Sequence, residues 1–207
     1  MPIRGAIFDL DGTLVDSGLD FDQMRREMGI AGGMPLLEAL ENLPPETAAA
    51  CWAILDRHEL RGSERATLFP GVREFLSALD ERGVVRAVVT RNGRAIARAT
   101  LDRLGLEFNP IICREDAPPK PDPGAIWKVC ETWGFNPSQC VVIGDYRFDI
   151  EAGQRAGTHT VLFTAGGERT GLGDGEPADF VLESFAEPGG LWAWWAQIDL
   201  GGSGGSC

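Results

Sequence analysis

Short apolar runs alternate along most of this chain with stretches whose apolar residues return every three or four positions. Gly5-Ala6-Ile7-Phe8 is the first such run, and it predicts a buried strand. Val72, Phe75, Leu76 and Leu79 share one helical face, Gly83 closes that helix, and Val84 to Val89 is rich in β-formers. This second strand delivers Thr90 at its carboxyl end. Ile96, Ala99, Leu101 and Leu104 predict a helix ending before Gly105, and Ile111-Ile112-Cys113 after Pro110 predicts a strand. The pattern repeats with a helical face at Ile126, Trp127, Val129, Cys130 and Trp133, then a strand at Cys140-Val141-Val142-Ile143. A short helix over Ile150 to Ala156 leads to a strand at Thr160-Val161-Leu162-Phe163, and Phe180-Val181-Leu182 predicts an edge strand. The last helix, around Leu191-Trp192-Ala193-Trp194-Trp195, reads as core packing. Strands separated by helices predict an α/β fold with a central parallel sheet.

One segment breaks this alternation. Phe21, Met24, Arg25 and Met28 fall on one helical face that Gly29 ends. Leu36, Leu37 and Leu40 mark a short second helix, and Pro44-Pro45 breaks it. A third helix starts near Pro45 and carries Ala49, Trp52, Ala53 and Leu55 toward Leu60. No strand signal appears before about Thr67. The chain therefore divides into a core over residues 1–15 and 69–200 and a small all-helical cap over residues 16–68. Residues 201–207, Gly-Gly-Ser-Gly-Gly-Ser-Cys, read as a flexible linker with a terminal thiol, in the manner of an engineered coupling tail.

Composition narrows the partners. The 207 residues are 43% hydrophobic and 24% charged, an ordinary soluble profile. A net charge of −12 argues against nucleic acid, whose phosphates are bound through an excess of lysine and arginine. No apolar run reaches the ~18–20 residues a bilayer span requires, and Asp9 and Asp11 interrupt the amino-terminal run where a signal peptide would need one. The five cysteines are scattered and never paired as Cys-x-x-Cys, so Cys51, Cys113, Cys130 and Cys140 read as buried thiols of a cytoplasmic protein. Oligomeric state is not readable from the chain.

The chemistry sits at strand ends. Asp9 and Asp11 follow the first strand at i and i+2, so on extended backbone they emerge on the same side. That end of a parallel sheet is where open α/β folds bind ligands. Two such acids repel unless a cation lies between them or one holds a proton, and Mg²⁺ suits them because it takes carboxylate and phosphate oxygens together. Gly12 lets the chain turn away, and Thr13 offers a hydroxyl to a phosphate oxygen. Asp145 and Asp149 form a second carboxylate cluster after Ile143. Lys120 lies in a loop stiffened by Pro118, Pro119, Pro121 and Pro123. Singly these are weak signals: a bare Asp-x-Asp-Gly is also an ordinary turn, a lone threonine caps a helix, and a lone lysine is solvated.

In this order, however, Asp9-Leu-Asp-Gly-Thr-Leu-Val-Asp-Ser17, Thr90, the Lys120-Pro-Asp-Pro loop and Gly144-Asp-x-x-x-Asp149 resemble the four motifs of the haloacid dehalogenase-like superfamily. The resemblance runs from about residue 3 to residue 185 and implies a Rossmann-like core with a helical cap of the phosphoglycolate phosphatase-like type. It further implies that Asp9 is a nucleophile forming an aspartyl-phosphate, and that Asp11 is the general acid and then base. Thr90 and Lys120 would steady the phosphoryl group. Mg²⁺ would be held by Asp9, the backbone carbonyl of Asp11 and Asp145, with Asp149 a direct or indirect partner. Thr13, Arg91 and Asn92 are further candidates for contact with a small phosphorylated metabolite. Family dehalogenases lack an aspartate at the position of Asp11, and phosphonate-cleaving relatives need a cap lysine that residues 18–66 do not contain. Both features favour hydrolysis of phosphate monoesters.

Tyr146 departs from the pattern, standing where many relatives carry a small hydroxyl residue. Arg91 takes the place of a frequent asparagine, although Asn92 follows it. Arg91, Arg114 and Arg147 are candidates for reading an anionic substrate tail, and pairing with Glu115 and Asp149 or simple solvation is the alternative. Phosphoglucomutase-like transfer with the same residues is an alternative reaction. A signalling receiver domain shares the acid pair, threonine and lysine but lacks a helical insert after its first strand. A binding or scaffold protein retaining the fold is the alternative from another class.

Overall fold

The structure is a computed structural model that describes residues 1–32, 34–167 and 177–201. The Gly/Ser tail read as a linker, apart from Gly201, therefore lies outside the described residues, as does Cys207. Six strands form one sheet in the order β5-β4-β1-β6-β7-β8: β1 Gly5–Phe8, β4 Val85–Val89, β5 Ile111–Ile112, β6 Cys140–Gly144, β7 His159–Phe163 and β8 Phe180–Leu182. Every pairing in it is parallel. β1 is central, with Phe8 opposite Val88 on one side and Ile143 on the other.

Side-chain alternation along the strands assigns residues to two cores. Ala6, Phe8, Val88, Val141, Ile143 and Phe163 pack on one face beneath α4 (Val72–Glu81), α5 (Arg94–Leu104) and α8 (Gly189–Asp199). Ile7, Ala87, Val89, Ile112 and Val142 pack on the other beneath α6 (Gly124–Trp133) and α7 (Arg147–Ala156). Leu191 and Trp195 of α8 are buried, and Trp192 stacks on Phe75 at 4.9 Å, so the tryptophan-rich helix is core. Trp127 is a correction: it sits on α6 but is 50% exposed, its indole N–H donating to the Ala156 carbonyl. Ala99 is also solvent-facing, and Ala97 and Thr100 take the buried positions of α5.

Between β1 and α4 come α1 (Phe21–Met28), α2 (Leu36–Glu41) and α3 (Pro45–Arg65). They enclose a separate cluster of Met24, Met28, Leu36, Leu37, Leu40, Cys51 and Leu55. The buried face of α3 is Cys51, Leu55, Glu59, Gly62 and Ser63, one helical stripe, while Ala49, Ala53 and Leu60 face solvent. The sequence pattern misplaced that stripe because alanine is apolar enough to count and too small to require burial. Where the chain leaves and rejoins the core, β2 (Val15–Asp16) pairs antiparallel with β3 (Thr67–Leu68). Neither two-residue strand carries a pattern long enough to be read in advance. The four cysteines named above are free and buried. Among the described residues no helix is long and apolar enough to cross a membrane.

Candidate active site

Asp9 and Asp11 follow β1, Thr90 follows β4, and Asp145 follows β6, so adjacent parallel strands deliver them to one edge of the sheet. The Asp9 amide donates to the Ile143 carbonyl at 2.9 Å, which extends the β1–β6 pairing through the first carboxylate. The chain then folds back: Gly12 N–H donates to the Val15 carbonyl and Leu14 N–H to the Leu10 carbonyl. Gly12 has φ +83°, and a Cβ there would lie 2.3 Å from Asp145 Oδ2. Glycine is required both for the backbone conformation and for the approach of Asp145.

Lys120 is 3% exposed and bridges the two carboxylate clusters. Its ammonium donates to Asp9 Oδ1 and to the Val89 carbonyl at 2.8 Å, and lies 2.6 Å from Asp149 Oδ1. The other Asp149 oxygen accepts from the Tyr146 amide at 3.1 Å, so both Asp149 oxygens are engaged. Gly144 makes room for this: a Cβ there would fall 2.2 Å from the Asp149 Cβ. Thr13 donates its hydroxyl to Asp145 Oδ1 at 2.9 Å. Thr90 is buried, and its hydroxyl accepts the Asn92 amide at 3.1 Å, while the Asn92 side-chain amide donates to Asp11 Oδ2. Asn92 thus joins the acid at position 11 to the end of β4.

The electrostatics are those of too many acids for one base. Burial pushes the Asp9 carboxyl well above the usual range; Lys120 pulls it back, and Asp149 and Asp145 push it further up. Asp145 is raised to about 6 by burial and by Asp149, against the Thr13 hydroxyl and Lys120. Asp11 is raised by burial, with the Ser17 and Asn92 side chains and Lys120 opposing. Burial works against the Lys120 ammonium too, but Asp149 and Asp9 more than offset it and hold its pKa above the ordinary lysine value.

Asp9 and Asp145 repel each other across this site, and Asp11 follows Asp9 on the loop that leaves β1. Two carboxylates and a carbonyl are hard oxygen donors of the kind Mg²⁺ takes, so the donor set fits that ion. Among the described residues no three His, Cys, Asp or Glu side chains are grouped to hold a metal, consistent with Lys120 occupying the space between Asp9 and Asp149.

The insert reaches this edge as well. Arg91 donates from one nitrogen to both oxygens of Glu38 on α2, at 2.6 and 2.7 Å. Arg114 donates to Glu59 and Asp56 on α3, each at 2.8 Å. Neither arginine pairs with Glu115 or Asp149; Glu115 instead accepts the Arg94 amide. Glu59 is 5% exposed, and burial lifts its carboxyl to about 7 against the pull of Arg114. Ser17 lay within the first motif without an assigned role. Glu38, Asp56 and Glu59 had no local signal, since an acid on a polar helix face looks like any solvated residue.

Known proteins resemble this chain both in sequence and in fold. The family model described as haloacid dehalogenase-like hydrolase matches residues 21–163. A phosphoglycolate phosphatase of Pseudomonas savastanoi pv. phaseolicola is 35% identical over 187 residues, 77% of this chain and 69% of that protein. An N-acetylmuramic acid 6-phosphate phosphatase of Pseudomonas aeruginosa is 28% identical over 189 residues, 80% of this chain and 84% of that protein. In fold, a β-phosphoglucomutase of Clostridium difficile superposes with a TM-score of 0.77 at 18% identity, covering 96% of this chain and 99% of that one. With the motif residues gathered at one sheet edge and more than half of the chain matched, the protein is a hydrolase that belongs to the haloacid dehalogenase-like family.

Proposed function

We propose that this hydrolase is a Mg²⁺-dependent phosphatase that cleaves small phosphate monoesters through an aspartyl-phosphate on Asp9. The observation that carries the reading is the buried Lys120 ammonium bonded at once to Asp9 and Asp149, beside an Asp145 anchored by Thr13. A phosphate can approach a carboxylate nucleophile only where positive charge offsets both. Lys120 supplies part of that offset and orients Asp9 Oδ1, leaving the second Asp9 oxygen to attack phosphorus. A Mg²⁺ ion held by Asp9, Asp145 and the Asp11 carbonyl would supply the remaining positive charge.

Asp11 is suited to move the proton. Burial raises its carboxyl above the usual range and so favours the protonated form, which would donate to the leaving oxygen and then, as the carboxylate, take a proton from the attacking water. Asn92 fixes its orientation through the bond to Oδ2. The Thr90 hydroxyl and the Lys120 ammonium steady the phosphoryl oxygens. The insert over residues 16–68 serves as a lid, tied to the core by Arg91 and Arg114, and keeps bulk water from the phosphoenzyme until the leaving group departs. Phosphatase names among the relatives support the same reaction class.

The test is phosphate release from a panel of phosphorylated metabolites, with Mg²⁺ and with EDTA, using Asp9→Asn as the blank. Magnesium-dependent turnover that vanishes in Asp9→Asn is expected. Turnover by Asp9→Asn near the wild-type rate refutes the nucleophile, and an absolute need for a bisphosphate activator moves the reaction from hydrolysis to phosphoryl transfer.

A further inference from the structure

The three arginines that follow β4, β5 and β6 are committed very differently. Arg114 is paired through both terminal nitrogens, one on Glu59 and the other on Asp56. Arg91 gives a single nitrogen to Glu38 and keeps its Nε buried without a partner. Arg147 also has a buried Nε without a partner, and among the described residues no carboxylate is paired with it. Both Arg91 Cζ and Arg147 Cζ lie 5.0 Å from the centre of the Phe148 ring, which is itself buried. Two guanidinium groups, following the strands on either side of β1, therefore meet at one ring at the same edge of the sheet as Asp9.

A ring face attracts cations but neutralises none of their charge. Sharing one ring, the two guanidinium groups are at most about 10 Å apart and repel each other, and an anion bound beside them would relieve that repulsion. Among the described residues the one carboxylate bonded to either arginine is that of Glu38, and it reaches only Arg91. It comes from α2 of the insert, whereas both arginines belong to the core. Buried donors left unpaired are costly, and a planar or tetrahedral anion between the two forks would satisfy them.

We propose that Arg91 and Arg147 form a second anion subsite, and that Glu38 is its internal occupant when no substrate is bound. This inference rests on the phosphatase reading and sharpens its substrate class: a phosphate monoester whose leaving group carries a further carboxylate or phosphate. Such a group displaces the Glu38 carboxylate from Arg91 and adds the contacts to Arg147 that Glu38 does not make. An ester with a neutral leaving group leaves Glu38 in place. Discrimination then comes from the exchange of one anion for a better-placed one, with the lid supplying the anion that is displaced.

The experiment is calorimetric binding of two phosphonates to the Mg²⁺-loaded protein, corrected for Mg²⁺ binding by each probe in buffer. Methylphosphonate carries only the phosphate mimic; phosphonoacetate adds a carboxylate. Phosphonoacetate is expected to bind about tenfold more tightly or better. Arg147→Gln should erase most of that preference, and Arg147→Lys, which keeps the charge and loses the fork, should retain part of it. Glu38→Gln should enlarge the preference by removing the competing carboxylate. Circular dichroism confirms that each variant is folded. Equal affinity for the two probes in the wild type overturns the subsite and leaves the phosphate site standing. Failure of both probes to bind overturns the phosphate site and the subsite together. Weaker phosphonoacetate binding by Glu38→Gln overturns the exchange and makes the Glu38–Arg91 pair a simple tie between lid and core.

Discussion

Replacing Lys120 by methionine is the most direct perturbation of the charge cluster, because methionine keeps much of the length and none of the charge. In the wild type one ammonium is shared by two carboxylates, Asp9 and Asp149, and Lys120 and Asp149 are each 3% exposed. Removing one partner of a buried ion pair leaves charge without compensation and costs about 3–5 kcal/mol. Here two carboxylates lose the same partner, which argues for the upper end. Proton uptake works the other way. The Asp9 carboxyl is already raised by burial, and Lys120 is what pulls it back, so the substitution raises it further.

A carboxyl whose pKa in the folded state exceeds its unfolded value stabilises the fold while protonated, and that stability is lost as pH climbs from the unfolded value through the folded one. The deficit of Lys120→Met should therefore be about 3–5 kcal/mol near pH 7.5 and clearly smaller near pH 5.5. Urea unfolding of both proteins in EDTA at the two pH values measures it. A deficit below about 1 kcal/mol, the range of a surface ion pair, or one equal at both pH values, would refute the picture of a buried shared ammonium. The variant should also lose phosphatase activity at every pH.

Other perturbations probe the same edge of the sheet. Gly12→Ala meets a left-handed backbone and the Asp145 carboxylate at once, so stability should fall by about 1–2 kcal/mol from the backbone alone; Mg²⁺ titration calorimetry should show binding weakened because Asp145 has to move. In EDTA the wild type should lose stability as pH rises from about 4 to about 6, as the raised Asp145 carboxyl gives up its proton in the folded state, and saturating Mg²⁺ should abolish that slope in a thermal-melt series. Arg114→Met strands Glu59, 5% exposed, between lid and core. Its cost should be about 1–3 kcal/mol near pH 8 and less near pH 6, below the Glu59 value of about 7, where that carboxyl is neutral. Melting curves at the two pH values check this, and equal costs would show that Glu59 does not titrate in that range.

The parallel sheet was legible because each strand is a short, mostly apolar run of two to five residues and each intervening helix repeats at its own period. The carboxylates at the end of β1 were legible for a related reason: Asp9, Asp11 and Gly12 are neighbours in the chain, so covalent geometry alone keeps the two acids together at the strand end. Burial was read less well on the helices. Trp127 and Ala49 are apolar by composition but exposed by position, because a helix has a continuous surface and small apolar residues shift its apparent face.

What only packing decides is which distant groups share a charge or a proton. The Asn92 bond to Asp11 spans 81 residues, the Thr13 bond to Asp145 spans 132, and Lys120 reaches Asp9 across 111. None of these pairs has a local signature, since hydrogen bonds and Coulomb attraction depend on separation in space and on exclusion of water. The same holds for Glu38 on Arg91 and Glu59 on Arg114, where ordinary helical acids become the ties between the helical insert and the rest of the chain. The linear chain specifies the strands and the residues at their ends. The folded chain sets their dielectric, their partners and so their pKa values.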